Sequence, residues 1–485
     1  MAAQDKGLPM TSKWDPEKLQ QEVAMLQQLQ SRPPLVRFGG YLKRSGPGLL
    51  QSAMTLGAGS AVASVVAGAS FGYELLWVQP VAMFLGVMML AALGNVVLTT
   101  GERPYPAFAR ELHVSIAFLW ALGTIVASII WHFPQYGLAG AAAWDLADIA
   151  GVPQDSQTWK YAVTFGVGFL ILGLNIFTTW NYGRGGRGIK LYEWFLRIVI
   201  ALVILCFGLV VFNTGVNWPE LFRGFFCFHI PDAPGAVTVV LGAIGASVGI
   251  NMTFLYPYSL LAKGWGKYHK GLSRCDLGVC MFIPFVLVTS LVIIAMANTI
   301  YDGSLPQSVK TNLKPVDAAR SLQALFSGNT GRIICDLGFI AMTGGSISTH
   351  MVVCGFTVCE MFGLEYTTTR YRLFTLVPSI GILGVAFPSP MWMPIVASAV
   401  CLTMLPIAYV AFFLMNNKRS YIGDATGHGW KRALFNFILL VAIAMATIGA
   451  AINVMGKVYV PVRDKLFGKP AATAPQNAAP ATGQK

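Results

Sequence analysis

Long apolar runs alternate with short polar segments along most of the chain, from residue 48 to residue 455. A helix crosses the hydrocarbon layer of a bilayer, which is about 30 Å thick, with about 20 residues. Because lipid offers no hydrogen-bond partners to an open backbone, each run is predicted to be a helix. The runs predict eleven spans, at residues 48–69, 75–99, 114–143, 160–180, 190–212, 236–262, 277–299, 331–362, 372–387, 391–415 and 433–455. The pattern therefore indicates an all-α integral membrane protein.

Polar segments flank this apolar region and divide the chain into three parts. Residues 1–45 are polar and contain a short amphipathic helix, predicted at residues 15–30, so we expect a cytoplasmic segment rather than a cleavable signal peptide. Residues 46–456 form the predicted transmembrane domain. Residues 457–485 are rich in Ala, Pro and Gln and are predicted to be disordered.

Composition and charge support a membrane location and indicate an orientation. The chain is 55% hydrophobic and 11% charged, whereas soluble proteins carry about 25% charged residues. Most of the 34 Lys and Arg lie before the first span or in loops on that same side, which predicts a cytoplasmic amino terminus in a plasma or bacterial inner membrane. The net charge of +13 then requires no nucleic-acid partner. An odd number of spans leaves the cations after residue 456 outside, which disagrees with this orientation.

Motifs for enzymatic chemistry are missing from the sequence. The eight cysteines form no CxxC pair and lie mostly inside predicted spans, as small buried hydrophobes do. Residues 183–188 are glycine-rich but lack the Lys-Ser/Thr pair of a phosphate loop. We therefore predict no enzyme activity and no cofactor. Glu193 and Arg197, four residues apart, are predicted to form a local ion pair.

Two spans contain interruptions at corresponding places. Residues 57–60 of the first span read Gly-Ala-Gly-Ser, and residues 242–249 of the sixth contain three glycines and a serine before Asn251. A glycine inside a helix costs about 1 kcal/mol. Paired interruptions of this kind are typical of inverted-repeat transporters, whose substrate site lies where the breaks meet near the midplane. The alternative is close helix packing through small residues, although a mid-span amide such as Asn251 favours a site.

Several segments resemble the Nramp family of proton-coupled divalent metal transporters. Residues 46–48 (Gly-Pro-Gly), 72–78 (Gly-Tyr-Glu-Leu-Leu-Trp-Val) and 344–349 (Gly-Gly-Ser-Ile-Ser-Thr) followed by Glu360 are similar to the family's motifs, as is the start of the ninth span at residues 372–378. The resemblance covers about residues 45–415. It implies an inverted five-plus-five helix repeat with helices 1 and 6 broken.

The family's metal ligands are replaced in this sequence. Its Asp-Pro-Gly-Asn motif of helix 1 falls on residues 57–60, and its Met-Pro-His motif of helix 6 falls on residues 251–253 (Asn-Met-Thr). A carboxylate is therefore absent from both motifs. The resemblance implies a substrate-binding set, with Ser60 and Asn251 as candidate metal ligands, and its members are Gly57, Gly59, Ser60, Asn251, Thr253 and Ser398.

The family's proton route is altered as well. The Asp and Glu of its third helix fall on His132 and Gln135, and Gln135 cannot carry a proton. We predict His132 and His350 as a possible proton relay, since a membrane-buried histidine can transfer protons; the alternative is a neutral imidazole bonded to its neighbours. Gln135, Tyr256 and Tyr258 are expected along a vestibule, where interfacial aromatic residues are an equal alternative.

Three functions remain open at this point. The resemblance implies a secondary transporter of a divalent metal cation, and neutral oxygen ligands would suit a hydrated Mg²⁺ held weakly. Helix amino termini without a nearby carboxylate would suit an anion or a carboxylate-bearing solute instead. Loss of both ligand and proton residues would also fit a transport-dead sensor or scaffold. The expected partners are the lipid bilayer and a small ion or solute, and the sequence indicates no oligomeric state.

Overall fold

The computed structural model describes residues 16–182, 186–303, 309–310, 313, 315–321, 328–364, 368–386 and 392–455. The first residue of the predicted amino-terminal helix, residues 183–185 of the glycine-rich loop at 183–188 and the predicted disordered tail lie outside these residues. The α-helices are α1 (Pro16–Gln30), α2 (Pro34–Leu42), α3 (Pro47–Thr55), α4 (Ala58–Phe71), α5 (Val78–Thr100), α6 (Pro104–Glu111), α7 (Val114–Ile149), α8 (Gln157–Tyr182), α9 (Gly186–Thr214), α10 (Trp218–Phe226), α11 (Ala236–Ser247), α12 (Ile250–Ala262), α13 (Lys270–Asp276), α14 (Ile283–Thr299), α15 (Pro315–Ser321), α16 (Thr330–Met361), α17 (Thr368–Thr375), α18 (Trp392–Asn417), α19 (Arg419–Ile422) and α20 (Gly429–Val454).

The predicted all-α membrane fold is confirmed. Within the described residues, nine helices are long and apolar enough to cross a membrane, and the pair α3 and α4, bent by 53° where they meet, makes a tenth span. The protein is therefore a multi-pass integral membrane protein. The predicted ninth span, residues 372–387, instead consists of the end of α17 followed by a 3-10 helix at Val377–Ala386.

This 3-10 segment lies directly against α7. A 3-10 helix rises about 2.0 Å per residue instead of 1.5 Å, so a short segment covers more of the bilayer. Gly381 and Gly384 allow the close approach, because a Cβ atom on Gly381 would lie 2.2 Å from the Cβ of His132, and one on Gly384 would lie 2.1 Å from the carbonyl oxygen of Phe133. The contact fixes the position of the middle of α7.

Helices 1 and 6 are broken where the glycines predict it. Between α3 and α4, Leu56 and Gly57 leave the helical conformation, and Gly57 is extended with φ −137° and ψ −164°. Between α11 and α12, Val248 and Gly249 are extended. The second break bends its span less than the first. The helices α11 and α12 together form one continuous span of 27 residues, Ala236–Ala262.

The start of helix 1, on the side that the sequence predicts to be cytoplasmic, is held by α13. The carboxylate of Asp276 accepts hydrogen bonds from the backbone N–H groups of Gly46, at 2.9 Å, and Gly48, at 2.6 Å. These are orphan amides of the first turn of α3, which a carboxylate stabilises. Asp276 is fully buried at this position, so α13 fixes the start of helix 1.

The predicted ion pair between Glu193 and Arg197 is wrong. Glu193 pairs instead with Lys263 at 2.8 Å, and Arg197 donates to the backbone carbonyl of Ser45 at 2.9 Å. Both side chains face the start of helix 1, so contacts between helices outweigh the weak local pair along α9, which is worth only about 0.2–0.5 kcal/mol.

Candidate functional site

The two breaks meet around a small closed cavity of about 20 Å³. None of the side chains that line it is more than 8% exposed, so the protein is in an occluded conformation. By the criterion that one water needs about 10–15 Å³, the cavity holds one or two particles of water size. The lining residues are Met54, Thr55, Gly57, Gly59, Ser60, Trp131, Gln135, Gly245, Ala246, Gly249, Asn251, Met252 and His350.

A chain of side-chain hydrogen bonds pairs the backbone N–H and C=O groups that the break in helix 1 leaves open. The N–H of Ala58, the first amide of α4, donates to Oε1 of Gln135 at 2.8 Å. Nε2 of Gln135 donates to Oγ of Ser346 at 2.9 Å, and that hydroxyl donates to the carbonyl of Met54 at 3.0 Å. This hydrogen-bond chain joins the two halves of helix 1 through α7 and α16. The helix amino terminus at this break is therefore already paired with neutral groups.

Ser60 is used within helix 1 as well. Its hydroxyl donates to the carbonyls of Thr55, at 2.7 Å, and Gly57, at 3.1 Å, and lies 3.3 Å from the N–H of Gly57. Such a bridge is a local side-chain alternative to helical hydrogen bonds. Its proton is directed at the backbone in this conformation rather than at the cavity.

Thr55 connects the two breaks directly. Its hydroxyl donates to the carbonyls of Ser247, at 2.7 Å, and Ala246, at 3.0 Å, which end α11. These carbonyls are among those that the end of a helix leaves without intrahelical partners. The bond therefore holds the end of α3 against the end of α11 and closes one side of the cavity.

Asn251 and Met252 bring the ligand-type atoms of helix 6 to the cavity. Oδ1 of Asn251 accepts from the N–H of Met252 at 3.0 Å, and its buried Nδ2 has no hydrogen-bond partner among the described residues. The thioether of Met252 lies 3.4 Å from the N–H of Gly249. An amide and a thioether thus stand side by side at the break.

Met252 is the residue that the motif comparison missed. That comparison placed the family's thioether on Asn251, whereas the structure brings the neighbouring methionine to the same cavity. A signal was present in the sequence, because Met252 follows the last glycine of the interruption by three residues. Only the geometry of the break shows which of the two adjacent side chains lies at the cavity, and here both do.

Two residues of the predicted substrate-binding set lie away from the cavity lining. The hydroxyl of Thr253 accepts from the indole N–H of Trp120 at 2.8 Å and donates to the carbonyl of Ile250. Ser398 on α18 packs against α11, where a Cβ atom on Gly245 would lie 2.7 Å from its carbonyl oxygen. The structure brings together Gly57, Gly59, Ser60 and Asn251 from that set.

The two tyrosines predicted for a vestibule are fully buried in this conformation. The hydroxyl of Tyr256 is 2.7 Å from that of Ser273. The ring of Tyr258 stacks on Phe254, with 4.7 Å between ring centroids, and on Phe356, at 5.6 Å. The stack fills the space next to α12, whereas Gln135, the third predicted vestibule residue, lines the cavity.

Two buried histidines lie next to each other beside the cavity. The rings of His132 and His350 are 5.6 Å apart between centroids, and Tyr136 is 5.9 Å from His132. Both ring nitrogens of His132, Nδ1 of His350 and the hydroxyl of Tyr136 are buried and make no hydrogen bond of ordinary geometry within the described part of the chain, although the backbone of Ile347 and Pro378 lies close to the His132 ring. Buried polar atoms normally have hydrogen-bond partners, so this group is unusual.

The cavity carries no fixed negative charge. Its lining contains neither Asp nor Glu, and the described residues hold no group of three His, Cys, Asp or Glu that could bind a metal ion. The donors available to a cation are neutral: the amide of Asn251, the thioether of Met252 and backbone carbonyls. A bound cation would keep its charge uncompensated by side chains.

The bundle with two breaks meeting at a buried cavity defines an integral membrane protein with a transporter fold. A family model described as natural resistance-associated macrophage protein-like matches residues 48–453. The chain therefore belongs to the Nramp family. It is 22% identical to the divalent metal cation transporter MntH of Mycobacterium leprae over 429 residues, which cover 83% of this chain and 92% of that one. It is 21% identical to MntH of Bacillus subtilis, covering 84% and 92%.

Solved structures share the fold at lower sequence identity. The manganese transporter of Eremococcus coleocola, solved with an aromatic bis-isothiourea substituted compound, superposes with a TM-score of 0.68 and 14% identity, covering 89% of this chain and 91% of that one. Mhp1, a nucleobase-cation-symport-1 family transporter in a closed conformation, gives a TM-score of 0.53 and 12% identity, covering 84% and 92%. The fold is thus shared with transporters of more than one family.

Proposed function

We propose that this protein transports a divalent metal cation by alternating access, and that the cation binds with low affinity between the two breaks. One observation carries the proposal: Asn251 and Met252 place an amide and a thioether on a closed cavity of about 20 Å³ at the meeting point of helices 1 and 6. Family membership and the MntH relatives, which are divalent metal cation transporters by name, support this substrate class.

The size of the cavity favours a dehydrated ion. Mg²⁺ gives up its waters reluctantly and usually keeps several of them, and a space for one or two water-sized particles does not accommodate such an ion in this conformation. The thioether of Met252 favours a softer transition metal over Mg²⁺ or Ca²⁺, which prefer oxygen ligands. We therefore place a first-row transition metal ahead of hydrated Mg²⁺, and we take Mn²⁺, the metal in the name of the Eremococcus coleocola transporter, as the test ion.

Low affinity follows from the neutral donors. Removing a divalent ion from water is costly unless charge or several good ligands compensate for it, and no carboxylate lines this cavity. A transported ion must bind favourably enough to enter the site and weakly enough to leave it again. We expect an apparent affinity well below that of a site containing a carboxylate.

The geometry gives less support to an anion or a carboxylate-bearing solute. That alternative needs free N–H groups at the half-helix amino termini. The N–H of Ala58 is paired with Gln135, and the N–H of Gly57 lies within reach of the Ser60 hydroxyl. The cavity is also too small for a carboxylate-bearing molecule in the occluded conformation.

Proton movement, where it accompanies transport, is proposed to run through His132 and His350. Gln135 is committed to Ala58 and Ser346 and cannot be protonated at neutral pH. The two imidazoles are adjacent, and three of their four ring nitrogens make no hydrogen bond of ordinary geometry within the described residues. His350 also lines the cavity, which joins the relay to the ion site.

Uptake of Mn²⁺ and Mg²⁺ into proteoliposomes tests the substrate proposal. The wild type, Asn251→Ala and Met252→Leu are compared with Met89→Leu, a matched control that changes a fully buried methionine on α5 outside the cavity. Exchange of Met for Leu conserves volume and is usually tolerated. We expect Asn251→Ala to abolish saturable uptake and Met252→Leu to reduce Mn²⁺ uptake more than Mg²⁺ uptake.

The control separates the site from general stability, because Met89→Leu is expected to transport like the wild type. Wild-type protein that moves neither ion, while binding neither by calorimetry, would contradict the proposal and favour a sensor or scaffold. Uptake that is the same in Met252→Leu and Met89→Leu would remove the thioether from the account.

A further inference from the structure

A second cavity, of about 510 Å³, shares no lining residue with the first. Its walls come from α5, from the span that contains α13, from the end of α18 and from the start of α20. Its volume falls within the range of about 300–1,000 Å³ that is typical of sites for small organic ligands. The cavity therefore has the size for a ligand much larger than an ion.

The lining of this cavity is basic. Arg274, Lys431 and Arg432 line it, and its lining contains no carboxylate. Arg274 and Lys431 are exposed and make no ion pair within the described residues, whereas Arg432 donates to the neutral side chain of Asn417 at 3.1 Å. Three positive charges are thus gathered without local compensation.

An apolar wall also belongs to the lining of this cavity. It is formed by Val87, Met88, Leu277 and Phe435. Trp430, next to Lys431, is 71% exposed, and exposed tryptophans of membrane proteins concentrate at the level of the lipid headgroups. The cavity therefore offers cations and apolar contacts together, next to a residue typical of the headgroup region.

We infer that this cavity binds one anionic phospholipid. The phosphate lies between Arg274 and Lys431, and the first part of an acyl chain lies along the apolar wall that includes Met88 and Phe435. Basic pockets between transmembrane helices recognise anionic headgroups in this way. A zwitterionic lipid would leave the cations without balancing charge, and a free phosphate would leave the apolar wall uncovered.

Occupancy by a lipid would act on the start of helix 1. Arg274 lies two residues before Asp276 on α13, and Asp276 holds the first amides of α3. A lipid that fixes Arg274 therefore steadies the segment that closes one end of helix 1. This mechanism connects the composition of the membrane to the conformation of the transporter without any contact at the ion cavity.

Thermal stability of the full chain in detergent tests the inference. Phosphatidylglycerol, phosphatidylcholine and inorganic phosphate are titrated separately, and the apparent affinity is taken from the shift in Tm. The variant Arg274→Gln/Lys431→Gln is compared with Arg187→Gln/Lys190→Gln, which removes two exposed cations at the start of α9. Each cation near an anionic surface contributes about 1 kcal/mol, so two correspond to roughly a 30-fold loss of affinity.

The expected result is stabilisation by phosphatidylglycerol alone, weakened on the order of 30-fold in Arg274→Gln/Lys431→Gln and unchanged in the control. The variant Arg274→Lys/Lys431→Arg keeps both charges and should retain the effect, which separates loss of binding from loss of folding. Equal stabilisation by phosphatidylcholine, the same effect from phosphate, or an unchanged response in Arg274→Gln/Lys431→Gln would overturn the inference.

Discussion

The side-chain amide of Gln135 occupies the open end of helix 1, where its Oε1 accepts the N–H of Ala58 at 2.8 Å. The same amide donates to Ser346 at 2.9 Å. A neutral residue thus satisfies a helix amino terminus that would otherwise attract negative charge. Gln135 also lines the cavity between the two breaks. A charged side chain at position 135 would therefore act directly on an ion bound in that cavity.

A carboxylate at position 135 should strengthen cation binding. In Gln135→Glu the acceptor for Ala58 remains, and a negative charge is added at the cavity. Two unit charges 4 Å apart interact by about 4 kcal/mol at an effective dielectric constant of 20, and a tenfold gain needs only about 1.4 kcal/mol. We expect Mn²⁺ affinity, measured by calorimetry, to rise by on the order of tenfold or more.

Gln79→Glu is the matched control for that variant, since Gln79 is equally buried but lies on α5 outside the cavity lining. Its affinity for Mn²⁺ should stay at the wild-type value. If Gln135→Glu bound Mn²⁺ no better than Gln79→Glu, the position of Gln135 at the ion site would be refuted.

A methyl group at Gly57 should damage the break. A Cβ atom there would lie 2.5 Å from Nε2 of Gln135 and 2.6 Å from Oγ of Ser346. Overpacking of this kind typically costs about 1–3 kcal/mol. Gly57→Ala is therefore expected to lower Tm and to abolish Mn²⁺ uptake.

Gly242→Ala provides the comparison, because a Cβ atom on Gly242 in α11 meets nothing within 4 Å. That variant should be as stable as the wild type or slightly more stable, since alanine is the better helix former. Normal Mn²⁺ uptake in Gly57→Ala would show that the hydrogen-bond chain through Gln135 and Ser346 is dispensable.

Removal of the Asp276 carboxylate should release the start of helix 1. Asp276→Ala takes away two acceptors from the amides of Gly46 and Gly48, and loss of such a cap costs about 0.5–2 kcal/mol. Hydrogen–deuterium exchange followed by mass spectrometry should show faster exchange in peptides covering α3. Peptides of α20 should exchange as in the wild type, and unchanged α3 peptides would argue against this role for Asp276.

Replacing the paired histidines should uncouple protons from the cation. With His132→Gln or His350→Gln, we expect proton flux driven by a Mn²⁺ gradient to fall in proteoliposomes containing a pH-sensitive dye, while Mn²⁺ binding persists. His269→Gln is the control, as His269 is also buried but lies at the start of α13. Proton flux that survives in both His132→Gln and His350→Gln would exclude the proposed proton relay.

Sequence patterns were sufficient for the architecture and for the approximate position of the breaks. Hydropathy alone determines which segments enter lipid, and the low helix propensity of glycine places the interruptions at Gly57 and Gly249. The predicted ninth span is not among the helices long and apolar enough to cross a membrane within the described residues, and the 3-10 segment in its place packs closely on α7 through Gly381 and His132. That contact involves residues far apart in the chain.

The partners of the site residues could not be predicted in the same way. Gln135 reaches Ala58 across 77 positions of the chain, and Thr253 is turned toward Trp120 instead of the cavity. Met252 was passed over because a motif comparison assigns one residue to each position, whereas a broken helix can present two neighbouring side chains. Tertiary packing decides each of these orientations.

Anomalous X-ray diffraction from crystals containing Mn²⁺ tests the central claim most directly. The account predicts a single Mn²⁺ peak between the two breaks, within bonding distance of the side chains of Asn251 and Met252. An absence of any peak in that cavity at saturating Mn²⁺, or a peak held by carboxylates elsewhere in the protein, would contradict it.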